Sequence, residues 1–318
     1  MEREFTDTTG ILQRILRLQR FYNVQELVAR DTSTSHVIRY YRGSALGYRL
    51  FHSRDGSIHM ALNPSGTFSP EGYRRQVMLV QELISQRPSI RTILELGCGR
   101  GFNLSVLSSE FPECDLLGID LTPTHVHDAR RRLRSHPNVA VDVGNFEDTD
   151  FAAKSFDFLF SVESFCHASN PLAALREVRR ISRDGATLAI IDAWRTDRYS
   201  AASGEVQAAL RAMEKVMAVG NASRQSEWLQ WAADAGWQPV TTMALSHEVM
   251  PNLERFESLA ERFLSHQTIA HLAKRVIRGP LLDNAVAGYL MADSVRCGLH
   301  TYDMLVLRAG PEPLVSAL

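Results

Sequence analysis

No stretch of this chain approaches the ~18 apolar residues that span a bilayer. Its start, Met1-Glu-Arg-Glu-Phe, lacks the basic segment and apolar run of a secretory signal. A cytoplasmic location without stable membrane insertion is expected. Cysteine is scarce, and the four present, Cys98, Cys114, Cys166 and Cys297, show no CxxC or Cys/His spacing. That pattern suggests neither a zinc site nor a disulfide framework, and no metal is expected. An excess of one charge is missing too: 35 Lys and Arg stand against 36 Asp and Glu, for a net charge of -1. No global field therefore draws the chain onto nucleic acid or anionic lipid. The one basic run, Arg130-Arg131-Arg132-Leu-Arg134, falls where a helix should pack on a sheet and reads as a solvated face. Internal repeats and low-complexity tracts are absent.

What remains is an ordinary globular composition, 45% apolar and 22% charged over 318 residues. That length suits one sizeable core with insertions. Apolar positions at Ile11, Ile15, Leu16, Leu18, Leu27 and Val28 predict one or two amphipathic helices before the core. Residues 1–74 are read as a helical arm and cap, with a homo-oligomer left open by the arm. Between Ser35 and Gly72 the chain is rich in Tyr, Arg, His and Gly, as in Tyr40-Tyr41-Arg42 and Tyr48-Arg49-Leu-Phe51-His52. This mixture suits aromatic and polar side chains turned toward a ligand. Residues 75–195 alternate short apolar runs with helical stretches, the pattern of a doubly wound α/β core. Strands are predicted at Thr92–Leu96, Asp115–Asp120, Val139–Val143, Phe156–Val162 and Thr187–Asp192. Residues 196–318 supply insertion or lid helices and two further strands, near Trp237–Leu245 and Tyr302–Leu307.

The segment Glu95-Leu-Gly97-Cys-Gly99-Arg-Gly101-Phe-Asn103 runs from a strand through closely spaced glycines into a helix. Such a loop lets backbone approach a nucleotide-like ligand without a β-carbon in the way. The dinucleotide fingerprint wants its third glycine three residues past the second, where Phe102 stands. With Glu95 ahead of it, the loop instead resembles motif I of the class I S-adenosylmethionine methyltransferases. The resemblance implies a Rossmann-like sheet of seven strands with the last antiparallel, and S-adenosyl-L-methionine as cofactor. It also implies cofactor contacts from Glu95, Gly97, Gly99, Gly101 and Asn103. Asp120, about twenty residues past the loop at the carboxyl edge of the sheet, can accept both ribose hydroxyls, with Leu121 beside it. Asn145 stands where the family has an aspartate toward the adenine amino group, and Phe146 where an apolar residue packs on the ring. Ser161, on strand four, joins the same cofactor set.

At the exit of strand four, Glu163-Ser-Phe-Cys166-His167-Ala resembles a segment of the sterol C-methyltransferases and their tocopherol and terpenoid relatives. Tyr48-Arg-Leu-Phe51 is similar to the cap of cyclopropane fatty acid synthases. These resemblances imply carbon methylation of a small apolar substrate, an isoprenoid or a prenyl diphosphate, under a covering insertion from His247 to His300. Glu163 is the first candidate for carboxylate or base, with His167 and His59 as catalytic companions. Tyr41, Tyr48, Arg49, His52 and Glu227 are candidate substrate contacts. Convergence of Arg39, Arg42, Arg49, Arg54, Arg74 and Arg75 would hold a diphosphate. The alternatives are an O- or N-methyltransferase of natural products, or a cofactor-binding protein without catalysis.

Overall fold

The computed structural model describes residues 8–310 except 31, 54, 221 and 267–279. The strands are β1 (Thr92–Leu96), β2 (Asp115–Asp120), β3 (Val139–Val143), β4 (Phe156–Val162), β5 (Ser182–Arg195), β6 (Trp237–Ala244) and β7 (His300–Ala309). They form one sheet in the order β3-β2-β1-β4-β5-β7-β6. Neighbours among β1 to β5 pair in parallel, whereas β7 runs antiparallel to β5 and β6. The sheet is the Rossmann-like methyltransferase arrangement that the glycine loop implied. β5 starts earlier than the apolar run suggested, because Ser182 already pairs with Phe156 before the left-handed Gly185.

Phe158, Leu159 and Phe160 on β4 are fully buried, so this central strand shows no polar alternation. Helices cover both of its faces. Val77 and Val80 of α4 (Arg75–Ser85), Leu104 and Leu107 of α5 (Phe102–Glu110) and Val126 of α6 (Pro123–Leu133) join one cluster. Leu175 and Val178 of α7 (Pro171–Ile181) pack with Trp228 and Ala232 of α10 (Gln225–Asp234) in the other. The basic run lies on α6, where Arg130 meets Asp142 at 2.9 Å and Arg131 meets Asp128 at 3.2 Å.

A further hydrophobic cluster lies in the helical cap and draws on both ends of the chain. Ile11, Ile15 and Leu18 of α1 (Thr9–Leu18) and Leu27 of α2 (Val24–Val28) pack on Leu210 and Met213 of α9 (Gly204–Val216). Leu264 of α11 (Ser246–Ser265) and Leu290 of α12 (Pro280–Arg296) complete the cluster. Arg14 of α1 pairs with Glu257 of α11 and, at 2.5 Å, with Asp293 of α12. The N-terminal arm thus packs on its own chain, against α11 and α12, which lie between β6 and β7. The remaining cap helices are α3 (Thr34–Gly47) and α8 (Asp197–Ala201).

The burial contrast across the sheet predicts a stability contrast. Leu159→Ala removes a fully buried side chain from β4 and should cost about 2–5 kcal/mol. Val143→Ala, at a position 49% exposed on the edge strand β3, should stay within about 0.5 kcal/mol. Urea unfolding of the two variants beside the wild type measures both, and equal losses would contradict this burial pattern.

Candidate active site

Glycine is required at the β1 exit for two separate reasons. Gly97 and Gly99 have φ of 78° and 51°, a region that side chains rarely adopt. A β-carbon on Gly97 would also sit 2.4 Å from Ser164 Cβ, and one on Gly99 would sit 2.8 Å from Ile58 Cδ1. The loop is pinned to the next strand where Gly97 and Cys98 N–H donate to Ile119 O, and Gly99 N–H donates to Asp120 Oδ2 at 2.9 Å. Asp120 Oδ1 accepts from Thr122 N–H at 2.8 Å and lies 3.4 Å from His125 Nδ1. Burial pushes the Asp120 carboxyl up, but the bonds from His125, Thr122 and Gly99 outweigh it and hold the group below the usual carboxylate range.

Behind the loop, Glu95 is 2% exposed and accepts from Asn103 Nδ2 at 2.7 Å through Oε1. Glu95 Oε2 and Asn103 Oδ1 are buried without partners. Burial pushes the Glu95 carboxyl up to about 8. Two unpartnered acceptors beside a glycine cradle fit a ligand that brings donors and positive charge.

A cavity of about 60 Å³ opens above this loop, lined by Gly97, Asp120, Leu121, Asn145, Phe146 and Ile58 among others. Asn145 Oδ1 accepts from Glu147 N–H at 3.0 Å, so the amide expected to face an adenine also closes its own turn. Phe146 lies edge-on to Phe165, with ring centres 4.9 Å apart. Ser161 lines neither this cavity nor its larger neighbour. It is fully buried and bonded at 2.6 Å to Ser164 Oγ, which donates to Leu96 O, so its position is one of support behind Gly97.

The neighbouring cavity, about 150 Å³, shares Tyr41, Ile58, Glu163 and His167 with the first. Met213 of α9, Met217 just after it, Val249 and Leu253 of α11, and Met291 and Val295 of α12 give it an apolar roof. Glu163 projects from a left-handed backbone (φ 49°), an uncommon conformation for a side-chain-bearing residue. Its Oε1 accepts from Met60 N–H at 2.8 Å and Tyr302 O–H at 2.7 Å. Gln76 Nε2 braces the pair by donating to Met60 O at 2.5 Å. Burial raises Glu163 to about 7, against those two bonds. Asp192, three residues before the end of β5, is raised to about 6 by burial and accepts from Cys166 N–H at 3.0 Å.

The histidines are held as neutral hydrogen-bonding groups. His167 Nδ1 donates to Ala218 O at 3.1 Å, leaving Nε2 to accept from Tyr41 O–H at 2.8 Å. Burial lowers its basicity. His59 lines the smaller cavity, bonds Met60 O at 3.1 Å through Nδ1 and is pushed down to about 4 by burial. Tyr48 lines the larger cavity and bonds Tyr40 at 3.3 Å.

Several sequence expectations need correction. Arg39, Arg42, Arg49 and Arg74 are exposed, and Arg75 pairs with Glu248 at 3.2 Å, so no cluster of cap arginines meets the cavity among the described residues. Arg54 lies outside the described residues. His52 lines neither cavity, because its ring stacks on Phe256 and its Nε2 donates to His59 O. Glu227 is likewise diverted from the cavities: it caps α10, accepting from Arg224 N–H at 2.8 Å and pairing with the Arg224 guanidinium. Conversely, Asp192, Tyr302, Arg195, Glu214 and His300 line the larger cavity without having been singled out. Asp192 alone had a sequence signal, as a carboxylate that ends an apolar strand at the same sheet edge as Glu163.

Residues 94–190, with the glycine loop, β2 to β4 and the first part of β5, match the family model for a methyltransferase domain. The chain carries a class I S-adenosylmethionine-dependent methyltransferase domain. The match supports S-adenosyl-L-methionine as the cofactor, as the glycine loop implied. A 24-methylenesterol C-methyltransferase of Oryza sativa subsp. japonica is 26% identical over 60% of this chain and 53% of its own length. A sarcosine/dimethylglycine N-methyltransferase of Aphanothece halophytica is 24% identical over 68% of this chain and 77% of its own. The chain spans about half the length of the first curated relatives, 53% and 41%. Among solved structures, a geranyl diphosphate C-methyltransferase from Streptomyces coelicolor A3(2) superposes with a TM-score of 0.60. It is 18% identical, over 88% of this chain and 98% of that one, and was solved with Mg2+, geranyl diphosphate and S-adenosyl-L-homocysteine. At that identity the likeness concerns the fold.

The buried Glu95 makes cofactor binding pH-linked. A carboxyl raised to about 8 is protonated below that pH and must lose its proton to face a cationic ligand group. Affinity for S-adenosylhomocysteine should therefore fall as pH drops below about 8, with proton release seen by calorimetry in buffers of different ionisation enthalpy. Glu95→Gln should bind more weakly and without that release. Gly97→Ala should lose at least tenfold in the same titration; wild-type affinity in that variant would refute the cradle.

Proposed function

We propose that this chain transfers the methyl group of S-adenosylmethionine to carbon in a small apolar molecule of the isoprenoid class. The observation that carries the reading is Glu163. A buried carboxylate with raised basicity lines both the glycine-loop cavity and the apolar cavity, fixed by Met60 and Tyr302. The cofactor supplies an electrophilic methyl carbon on a sulfonium, which needs no assisting base when the acceptor is an alkene. What such an acceptor does need is a negative group to offset the positive charge left on its carbon skeleton, then a site for the displaced proton. Glu163 can serve both needs, with Asp192 adding negative charge from the next strand. Tyr41, Tyr48 and Tyr302 offer aromatic faces along the same wall.

Gly97, Gly99 and Asp120 would hold the cofactor backbone-first, while the methionine- and leucine-lined roof excludes water from the acceptor. His167 and Tyr41 form a bonded pair between the two cavities and fix their common wall. The second reading, O- or N-methylation, is favoured by His167, a neutral imidazole at the shared boundary. Its Nε2 is already engaged by Tyr41, which places Glu163 ahead of it as proton acceptor. The exposed cap arginines favour a neutral acceptor over a prenyl diphosphate.

Methyl transfer from labelled S-adenosylmethionine to a panel of isoprenoid alcohols, their diphosphates, phenols and amines tests the reading. Carbon methylation of the alcohols is expected, and methylation of phenol oxygen or amine nitrogen with no carbon product would overturn it. On the accepted substrate, Glu163→Gln should lower kcat about 10²- to 10⁴-fold while S-adenosylhomocysteine binding is kept. The wild-type rate should rise with pH through about 7, where Glu163 loses its proton. Stability runs the other way: the folded state holds that proton above the carboxyl's ordinary value of 4.5, so Glu163 contributes a loss of stability between 4.5 and about 7.

A further inference from the structure

Three groups that line the larger cavity interlock, Glu214 and His300 buried and Arg195 half-buried. Arg195 closes β5 directly opposite His300, the first residue of β7. Arg195 Nε donates to Glu214 Oε1 at 2.8 Å, and its other arm donates to Oε2. His300 Nε2 donates to the same Oε1 at 2.9 Å. Tyr199 braces both partners of Glu214: the Arg195 guanidinium lies 4.3 Å above its ring centre, and His300 stands edge-on to it at 5.7 Å. Glu214 and His300 are 5% and 8% exposed.

One atom of this arrangement lacks a partner. With Nε2–H committed to Glu214, a neutral His300 ring presents Nδ1 as an acceptor. That Nδ1 is buried and unpaired among the described residues. Buried acceptors in native proteins almost always find a donor, because leaving one unmet is costly. Arg195, Glu214 and His300 all line the cavity, so a ligand there is the natural source of that donor.

The charge state of this trio narrows the donor's chemistry. Glu214 takes the Nε side of the Arg195 guanidinium and offsets its charge, so the pair offers little attraction to a carboxylate or diphosphate. Glu214 would also repel such an anion. A cationic amine would meet Arg195. A neutral hydroxyl satisfies Nδ1 without either penalty. The size of the cavity, about 150 Å³, matches one that accepts a benzene-sized molecule. That volume suits a molecule far smaller than a four-ring sterol.

We infer that His300, held by Glu214 and Arg195, binds the hydroxyl of a small neutral apolar substrate, an alcohol or a phenol. This rests on the larger cavity being the acceptor site. His300 and Tyr302 lie on one face of β7, two residues apart, or roughly 7 Å at the usual strand rise. The hydroxyl therefore sits a ligand's length from Glu163, which Tyr302 holds. It anchors the molecule and is not the atom that receives the methyl. The opposite end is presented to Glu163 and the cofactor loop.

The test is binding of matched probe pairs to the full chain saturated with S-adenosylhomocysteine, read by calorimetry and needing no turnover. The pairs are geraniol against its deoxy hydrocarbon, 2,6-dimethylocta-2,6-diene, and 4-propylphenol against propylbenzene. At least one hydroxylated member should bind about three- to tenfold more tightly than its partner, and the pair that shows it says whether alcohol or phenol is preferred. His300→Phe should erase that preference while keeping the affinity for the hydrocarbon. Absence of a preference in the wild type for both pairs, failure to bind included, overturns the inference. So does a preference that survives His300→Phe, or tighter binding of geranyl diphosphate than of geraniol. S-adenosylhomocysteine binding, measured first, reports separately on the cofactor reading. Carbon methylation can fail while the hydroxyl preference stands, so the two results are distinguishable.

Discussion

The carboxylate of Glu163 is buried at the exit of β4, and the way it is held ties the rest of the site together. Its two bonds come from Met60, in the segment before the core, and Tyr302, on the last strand. A buried charge needs such partners, and here the partners belong to segments far apart in the chain. The left-handed backbone of Glu163 is tolerated because both bonds and the neighbouring β5 fix it, its own N–H donating to Ile191 O at 2.8 Å. Removing any of these supports would leave the carboxylate less well placed and more free to draw in water. The raised basicity, the cap's closure over the sheet edge and the common wall of the two cavities are thus coupled at one group.

What could be read beforehand divides along a physical line. The β1 loop and its following helix are local, and Gly97, Gly99 and Gly101 mark left-handed backbone that few other residues adopt. Asp120 and Glu163 stand at strand ends, and parallel strands deliver their carboxyl ends to one edge. The sheet followed from the same alternation. Residues whose role depends on partners far along the chain were opaque. Tyr302 reads as one more apolar strand residue, and the union of Arg195, Glu214 and His300 requires β5, α9 and β7 to be assembled first.

Composition misled where direction mattered. The cap is rich in arginine, but a tyrosine-lined inner surface leaves those side chains outside, as the exposure of Arg42 and Arg49 shows. Glu227 looked available as a site carboxylate, yet an acid three residues after the start of a helix commonly turns back to its first amide, as this one does. Ser161 shows the same limit: its strand is at the site, but its hydroxyl is turned inward to Ser164.

The cap is built as a hydrophobic core of its own, from residues near both ends of the chain. The roof over the acceptor cavity is therefore not a loose flap. A molecule passing through it has to part α9, α11 and α12, whose other faces are clamped by α1 and by the Arg14 ion pairs. Passage by that route depends on local openings of the bundle, which its packing governs. The first helix lines neither cavity, yet its packing bears on how firmly that roof is held.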